Sequence, residues 1–176
     1  GSINNGVDYY NFCSDIEAGE PSPFLTDAID QTVWFSFTAP NHVGANATSN
    51  VTVNATNDPG GLGDDVDLQL AVYQSSDNTC NGTMSLLEDG SSDPQFSFDA
   101  SVSITCLVPG QNYFIQVDGT DLNVEGYFRL EIVDDGAGFR PSNNLVCSAI
   151  DLGTVPDAGN INNGVDYYNF CSDIEA

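Results

Sequence analysis

An all-β fold, two antiparallel sheets packed as a sandwich of jelly-roll type, is what this chain predicts. Three observations carry the prediction. From Gln31 onward the sequence falls into short apolar or alternating runs cut by Gly, Pro, Asn and Asp; helical periodicity is nearly absent; and six such runs follow one another through turn-forming residues.

In chain order the expected strands are QTVWFSFTAP (31–40), SNVTVNAT (49–56), VDLQLAVYQ (66–74), QFSFDASVSITCLV (95–108, bent), QNYFIQVDG (111–119) and GYFRLEIVDD (126–135). In the third, alternation puts Val66, Leu68, Leu70 and Val72 on one face and Asp67, Gln69 and Ala71 on the other. In the fifth, Tyr113, Ile115 and Val117 share a face. The stretch PGQN (109–112) supplies Pro-Gly turn chemistry between two strands. Trp34, flanked by Val33 and Phe35 inside a strand, is expected in the core and not on a sugar-stacking surface.

The chain also repeats itself. Residues 3–18 and 161–176 both read INNGVDYYNFCSDIEA, 158 residues apart. That period exceeds the roughly 20–50 residues of a solenoid unit and suits a whole domain. The sequence therefore reads as a window on a tandem array. The stretch DDGAGFRPSNN (134–144) is the most linker-like, which sets residues 1–140 as a β-sandwich module without its own first strand. Residues 141–176 then form the linker and the N-terminal segment of the next repeat.

Composition narrows the setting. Twenty-six acidic residues stand against two arginines, Arg129 and Arg140, with no lysine, for a net charge of −24. Such a chain repels itself unless salt or cations screen it, and nucleic acid and anionic membranes are poor partners. No run of about 18 apolar residues is present to cross a bilayer as a helix. Of five cysteines, Cys13 and Cys171 are one position a period apart, so each unit holds four. An even count without CxxC spacing points to disulfides and an oxidising, extracellular compartment. Local pairing is expected for Cys80 with Cys106 and for Cys147 with Cys171, which sends Cys13 to Cys147 of the adjacent repeat.

The order NNLVCSAIDLG, YYNFCSDI, VWFSFTAP, DVDLQLAVYQ, LVPGQNYFIQVDG and GYFRLEI resembles the bacterial pre-peptidase C-terminal domain and its relatives over nearly the whole period. The resemblance implies a jelly-roll β-sandwich, secreted or on the cell surface, serving as an accessory module or as a unit of long adhesin-like proteins; it does not imply catalysis. The acidity and the near-identical tandem repetition depart from the enzyme-appended form and favour a fibre or stalk.

Chemistry has few candidates. GGLGDDVDL (60–68) approaches the calcium nonapeptide of β-rolls, with Asp67 where an apolar residue belongs, and a roll needs consecutive copies. The same stretch crowds Asp64, Asp65 and Asp67, with Asp58 nearby, as carboxylates for Ca²⁺, against the simpler reading of a solvated acidic edge. Asp118, Asp121 and Glu125 form a second acidic group. His42 is the sole histidine and no nucleophile motif accompanies it, so no enzyme is expected. Asn46, Asn50, Asn54 and Asn81 each open an Asn-x-Thr triplet, which an Asn- and Thr-rich chain also generates freely.

The expected function is a non-catalytic structural repeat of an extracellular filament, stalk or adhesin. Its partners are neighbouring copies joined head-to-tail, with segment 141–158 of one unit completing the next by strand addition. The competing expectation is an accessory module for surface glycans or another ligand, presented on exposed aromatics such as Tyr73.

Overall fold

The computed structural model describes residues 2–3, 6–24, 29–44, 46–57, 61, 66–91, 98–120, 122 and 124–140. These contain nine strands and no helix: β1 (Ser2–Ile3), β2 (Tyr9–Tyr10), β3 (Val33–Thr38), β4 (Ala47–Asn57), β5 (Leu68–Ser75), β6 (Met84–Ser91), β7 (Ala100–Leu107), β8 (Asn112–Gly119) and β9 (Tyr127–Phe139). Every pairing is antiparallel. One sheet runs β1-β9-β4-β7, with β2 also on β9, and the other runs β3-β8-β5-β6. The chain is a β-sandwich.

Period-two alternation decides which side chains fill the space between the sheets. Val51, Val53 and Ala55 of β4, Val102 and Ile104 of β7, and Phe128 and Leu130 of β9 point inward from one sheet. Leu68, Leu70 and Val72 of β5, with Tyr113, Ile115 and Val117 of β8, meet them from the other, as the alternation predicts. Phe128 lies against Phe35 and Tyr9, with ring centroids 6.0 and 6.2 Å away. A β-rich core of this kind is held by contact between branched and aromatic side chains on facing pleats.

Besides the two-residue strands β1 and β2, which lie outside the six expected runs, two elements differ from the sequence expectation. β6 was not expected, because MSLLEDGS carries adjacent leucines and then Glu-Asp-Gly instead of alternation; it forms as the return arm of a hairpin on β5, with Ser75 opposite Met84. β9 continues through DDGAGF, the first part of the stretch read as linker. There the chain bulges: Asn50 of β4 faces Gly136 while Val51 faces Asp134, leaving Asp135 as the extra residue. Gly136 takes φ +101°, which a side chain disfavours, and its N–H is held by the Asp134 carboxylate at 2.9 Å. Acidic and glycine letters that look like a linker are here the chemistry of a bulge.

The four-stranded sheet is covered on its outer face. Residues 17–24 and 29–32 run across it as a strap, and Phe24 and Ile29 pack on Ala71, Tyr73 and Phe114. Gln69, Gln116 and Asp118, polar residues on the face away from the core, are consequently buried under the strap. The alternation was right about the face and silent about the cover.

Candidate functional site

At one end the strap and the β5–β6 turn leave a cleft of about 650 Å³ between them. Glu17 to Pro21 form one wall, Cys80 to Met84 the other, and Trp34 and Phe114 the floor. Trp34 is therefore not a core residue: it is 36% exposed. On β3 it shares its face with Ser36 and Thr38, whereas Val33, Phe35 and Phe37 pack inward. The alternation of VWFSFT already contained that answer, since phenylalanines at 35 and 37 assign the even positions to the outside.

The indole is held in place. Its Nε1–H donates to Glu20 Oε1 at 2.6 Å, and its ring lies 5.4 Å from that of Tyr73. Glu20 also accepts from Thr32 Oγ1 and Gln116 Nε2, while its second oxygen accepts the Glu17 N–H at 2.8 Å. One carboxylate thus ties two strands to the strap. Tyr73, expected as an exposed aromatic, is 1% exposed and donates its hydroxyl to Gln116 Oε1 at 2.7 Å. Burial, with the nearby Asp89 and Glu20 charges, pushes its phenol well above the ordinary tyrosine range. Its odd-numbered neighbours Gln69 and Ala71 lie on the same strap-covered side, so the strap closes over it.

The turn facing Trp34 is built around Asp77. Its Oδ1 accepts from Ser75 Oγ, Thr79 N–H and Thr79 Oγ1, each at 2.9 Å. These bonds, from Thr79 first, hold the carboxyl below the usual carboxylate range. Asn78 Oδ1 accepts the Asn112 N–H at 2.7 Å and pins the turn to β8. Gly82 is packed so closely that a Cβ there would stand 2.2 Å from Ser75 Oγ.

The strap's other half is anchored on Asp118. Fully buried, it accepts N–H bonds from Asp30 and Gln31 at 3.0 and 3.2 Å and from Gly119 at 2.9 Å. Burial pushes its carboxyl up to about 6, the Asp30 charge adding to that and the three N–H bonds opposing it. Glu125 accepts from Gln31 Nε2 at 2.6 Å and from the Cys13 N–H at 3.1 Å. Of the second acidic group, then, Asp118 and Glu125 spend their oxygens on the strap, and Asp121 lies outside the described residues.

On the opposite side of the sandwich β1 and β2 cap β9 only in part, pairing with Val133 and Ile132 and with Phe128 and Tyr127. Asp8 forms an ion pair with Arg129 in between. Behind this edge an apolar slot of about 110 Å³ opens between the sheets, lined by Ile3, Tyr9, Phe35, Ser36, Leu130 and Ile132. β3, which borders the slot, pairs with β8 alone among the described strands.

The remaining expected sites are placed as follows. Asp64 and Asp65 lie outside the described residues, and Asp67 precedes β5, its carbonyl accepting the Thr120 N–H at 2.7 Å. Among the described residues no group of three or more His, Cys, Asp or Glu side chains could hold a metal ion. His42 Nε2 meets Asp134 Oδ1 at 2.9 Å beside the β9 bulge. The expected Cys80–Cys106 disulfide is not formed: Cys80 is a free, exposed thiol, as is Cys13. The two partners belong to different sheets, Cys80 in the turn on the four-stranded sheet and Cys106 at the β4–β7 bulge of the other. Cys106 is itself disulfide-bonded. Cys147 and Cys171 lie outside the described residues. No family model matches the chain, and no curated protein is significantly similar to it.

Proposed function

We propose that this chain is a non-catalytic structural module, repeated head-to-tail in an extracellular filament, stalk or adhesin. The observation that carries the reading is the position of the duplicated stretch. Residues 3–18 supply part of β1, all of β2 and the start of the strap, so they are integral to one sandwich edge. Their recurrence at 161–176 carries the same edge-forming information into a following unit.

Several features support it. The strand orders β2-β9-β4-β7 and β3-β8-β5-β6 fit a jelly roll, the architecture that the resemblance to pre-peptidase C-terminal domains implies. The partly capped β9 edge and the slot beside it, with exposed Ile3 in its lining, suit completion by an incoming strand such as the 141–158 segment of an adjacent unit. Disulfides can then lock the joint. Cys106 is bonded, whereas Cys13 and Cys80 are free and exposed. Cys13, free and exposed, remains open to Cys147 of the adjacent unit.

The test is a chain of two periods examined by small-angle scattering. A fixed joint gives one rigid elongated particle; two independently tumbling beads refute the reading. A second reading, a carbohydrate- or ligand-binding accessory module, is favoured by the exposed Trp34 in its cleft. Titrating the single tryptophan's emission against a panel of oligosaccharides tests it.

A further inference from the structure

We propose that Asn81 is a glycosylation site and that the cleft beside it is occupied by the saccharide it carries. The inference rests on the extracellular reading, because the modification needs an exported chain, and it gives the cleft an occupant supplied by the protein itself.

The four Asn-x-Thr triplets are not equivalent in the fold. Asn46, Asn50 and Asn54 all lie at or within β4. Asn50 Oδ1 accepts the Cys106 N–H at 3.1 Å, and its partner threonine, Thr52, bonds Ser103 and Asp135 at 2.9 and 2.7 Å. Asn54 Oδ1 accepts from Ser101 Oγ at 2.7 Å. The triplet of Asn46 ends in Thr48, which is buried. Asn81 differs on each count: it lies in the exposed β5–β6 turn, and Thr83, whose hydroxyl completes the recognised triplet, is also exposed. Gly82 between them is the residue the packing demands there.

Beside this triplet stands Trp34, a large aromatic platform that the strap leaves partly uncovered. Asn81 and Trp34 line the same cleft, whose volume lies within the roughly 300–1,000 Å³ of ligand sites. The Glu20 bond and the Tyr73 ring fix the indole before anything binds, and Phe114, Met84 and Pro21 extend its apolar surface. A pyranose has one apolar C–H face and a hydroxyl rim. On Trp34 the first sugar of an Asn81-linked chain covers the indole, with the strap's Glu17 to Pro21 at its rim.

The transfer step balances with a lipid-linked saccharide pyrophosphate as donor. Asn81 Nδ2 bonds to the anomeric carbon, the bond from that carbon to the pyrophosphate oxygen breaks, and the lipid pyrophosphate leaves with the electron pair. One Nδ2 proton is released, and the product is an N-glycosidic amide.

The full chain is exported from a host whose oligosaccharyltransferase accepts Asn-x-Thr, recovered from the medium and mapped by glycopeptide mass spectrometry. The expected result is majority occupancy at Asn81 and at least several-fold lower occupancy at Asn46, Asn50 and Asn54. The chain holds one tryptophan, so its fluorescence reports only this cleft. Acrylamide quenching of the glycosylated protein should fall at least twofold below that of Asn81→Gln, with Trp34→Phe as the blank. Secreted protein with Asn81 bare overturns the site. A filled Asn81 with unchanged quenching overturns the occupancy of the cleft. Saturable binding of free oligosaccharides by Asn81→Gln with no glycan on the parent makes the cleft an open ligand site instead. A chain that folds only in the cytosol and never reaches the medium refutes the extracellular reading, and this inference with it.

Discussion

Replacing Asp118 by Asn removes a fully buried carboxyl that anchors the strap, and the consequence can be worked out in sign and size. The native carboxyl titrates near 6 and an ordinary aspartate near 3.8. Between those values the folded chain binds the proton and the unfolded chain does not, so stability falls as pH rises through the window. The contribution is fully present below pH 3.8 and lost above about 6. At about 1.4 kcal/mol per pH unit the interval amounts to at most roughly 3 kcal/mol, and solvent screening around the strap lowers it to about 1–3 kcal/mol. Asparagine stays neutral throughout and lacks this slope. Its amide nitrogen also turns a donor toward N–H groups that Asp118 now satisfies, which costs about 1–3 kcal/mol independently of pH. Urea unfolding of both proteins from pH 3.5 to 7.5, at fixed ionic strength and followed by Trp34 emission, gives the difference curve. Subtracting the variant also removes the general relief of self-repulsion that acid brings to so acidic a chain. The parent-minus-variant stability should decline by about 1–3 kcal/mol between pH 4 and 6.5 and then level off. A difference that stays flat across the range refutes the assignment of Asp118 as a buried, proton-holding anchor.

Three further outcomes are expected. Phe128→Ala, which empties a fully buried ring site between Phe35 and Tyr9, should cost about 3–5 kcal/mol in urea unfolding, with no smaller loss than about 2 kcal/mol. Asn11→Ala removes a bond to the Val124 carbonyl at 3.0 Å and another from the Gly126 N–H at 2.8 Å; about 1–3 kcal/mol of stability should go, with faster proteolysis between residues 11 and 24. Alkylation of the native, unreduced protein should label Cys13 and Cys80 and spare Cys106, and labelled Cys106 would contradict the cysteine assignments.

The sequence was most legible where burial follows alternation. VDLQLAVY and NYFIQV put the expected residues into the core because a strand covered on its inner face must place its apolar side chains there. It was least legible where a second layer intervened. Nothing local in residues 17–24 and 29–32 says that they will lie over Gln69, Tyr73, Gln116 and Asp118, so Tyr73 read as exposed and Asp118 as one member of a second acidic group. β6 escaped because its partner β5, and not its own pattern, makes it a strand. The DDGAG bulge escaped because the same acids and glycines serve linkers and bulges alike. Trp34 was readable and was misread: the phenylalanines two letters apart on either side of Ser36 fix its face, while its position inside a strand does not. The cysteines could not be paired by spacing, since proximity in sequence carried Cys80 and Cys106 to different sheets.

The most direct test of a module built for joining is the disulfide map of a two-period chain, digested without reduction after alkylation of free thiols. The account predicts a cystine that bridges the end of the first period and the start of the second, with the slot of Ile3, Tyr9 and Phe35 protected at the internal joint. Cystines that all close within single units, and an internal Cys13 that alkylates as readily as the terminal one, would contradict it.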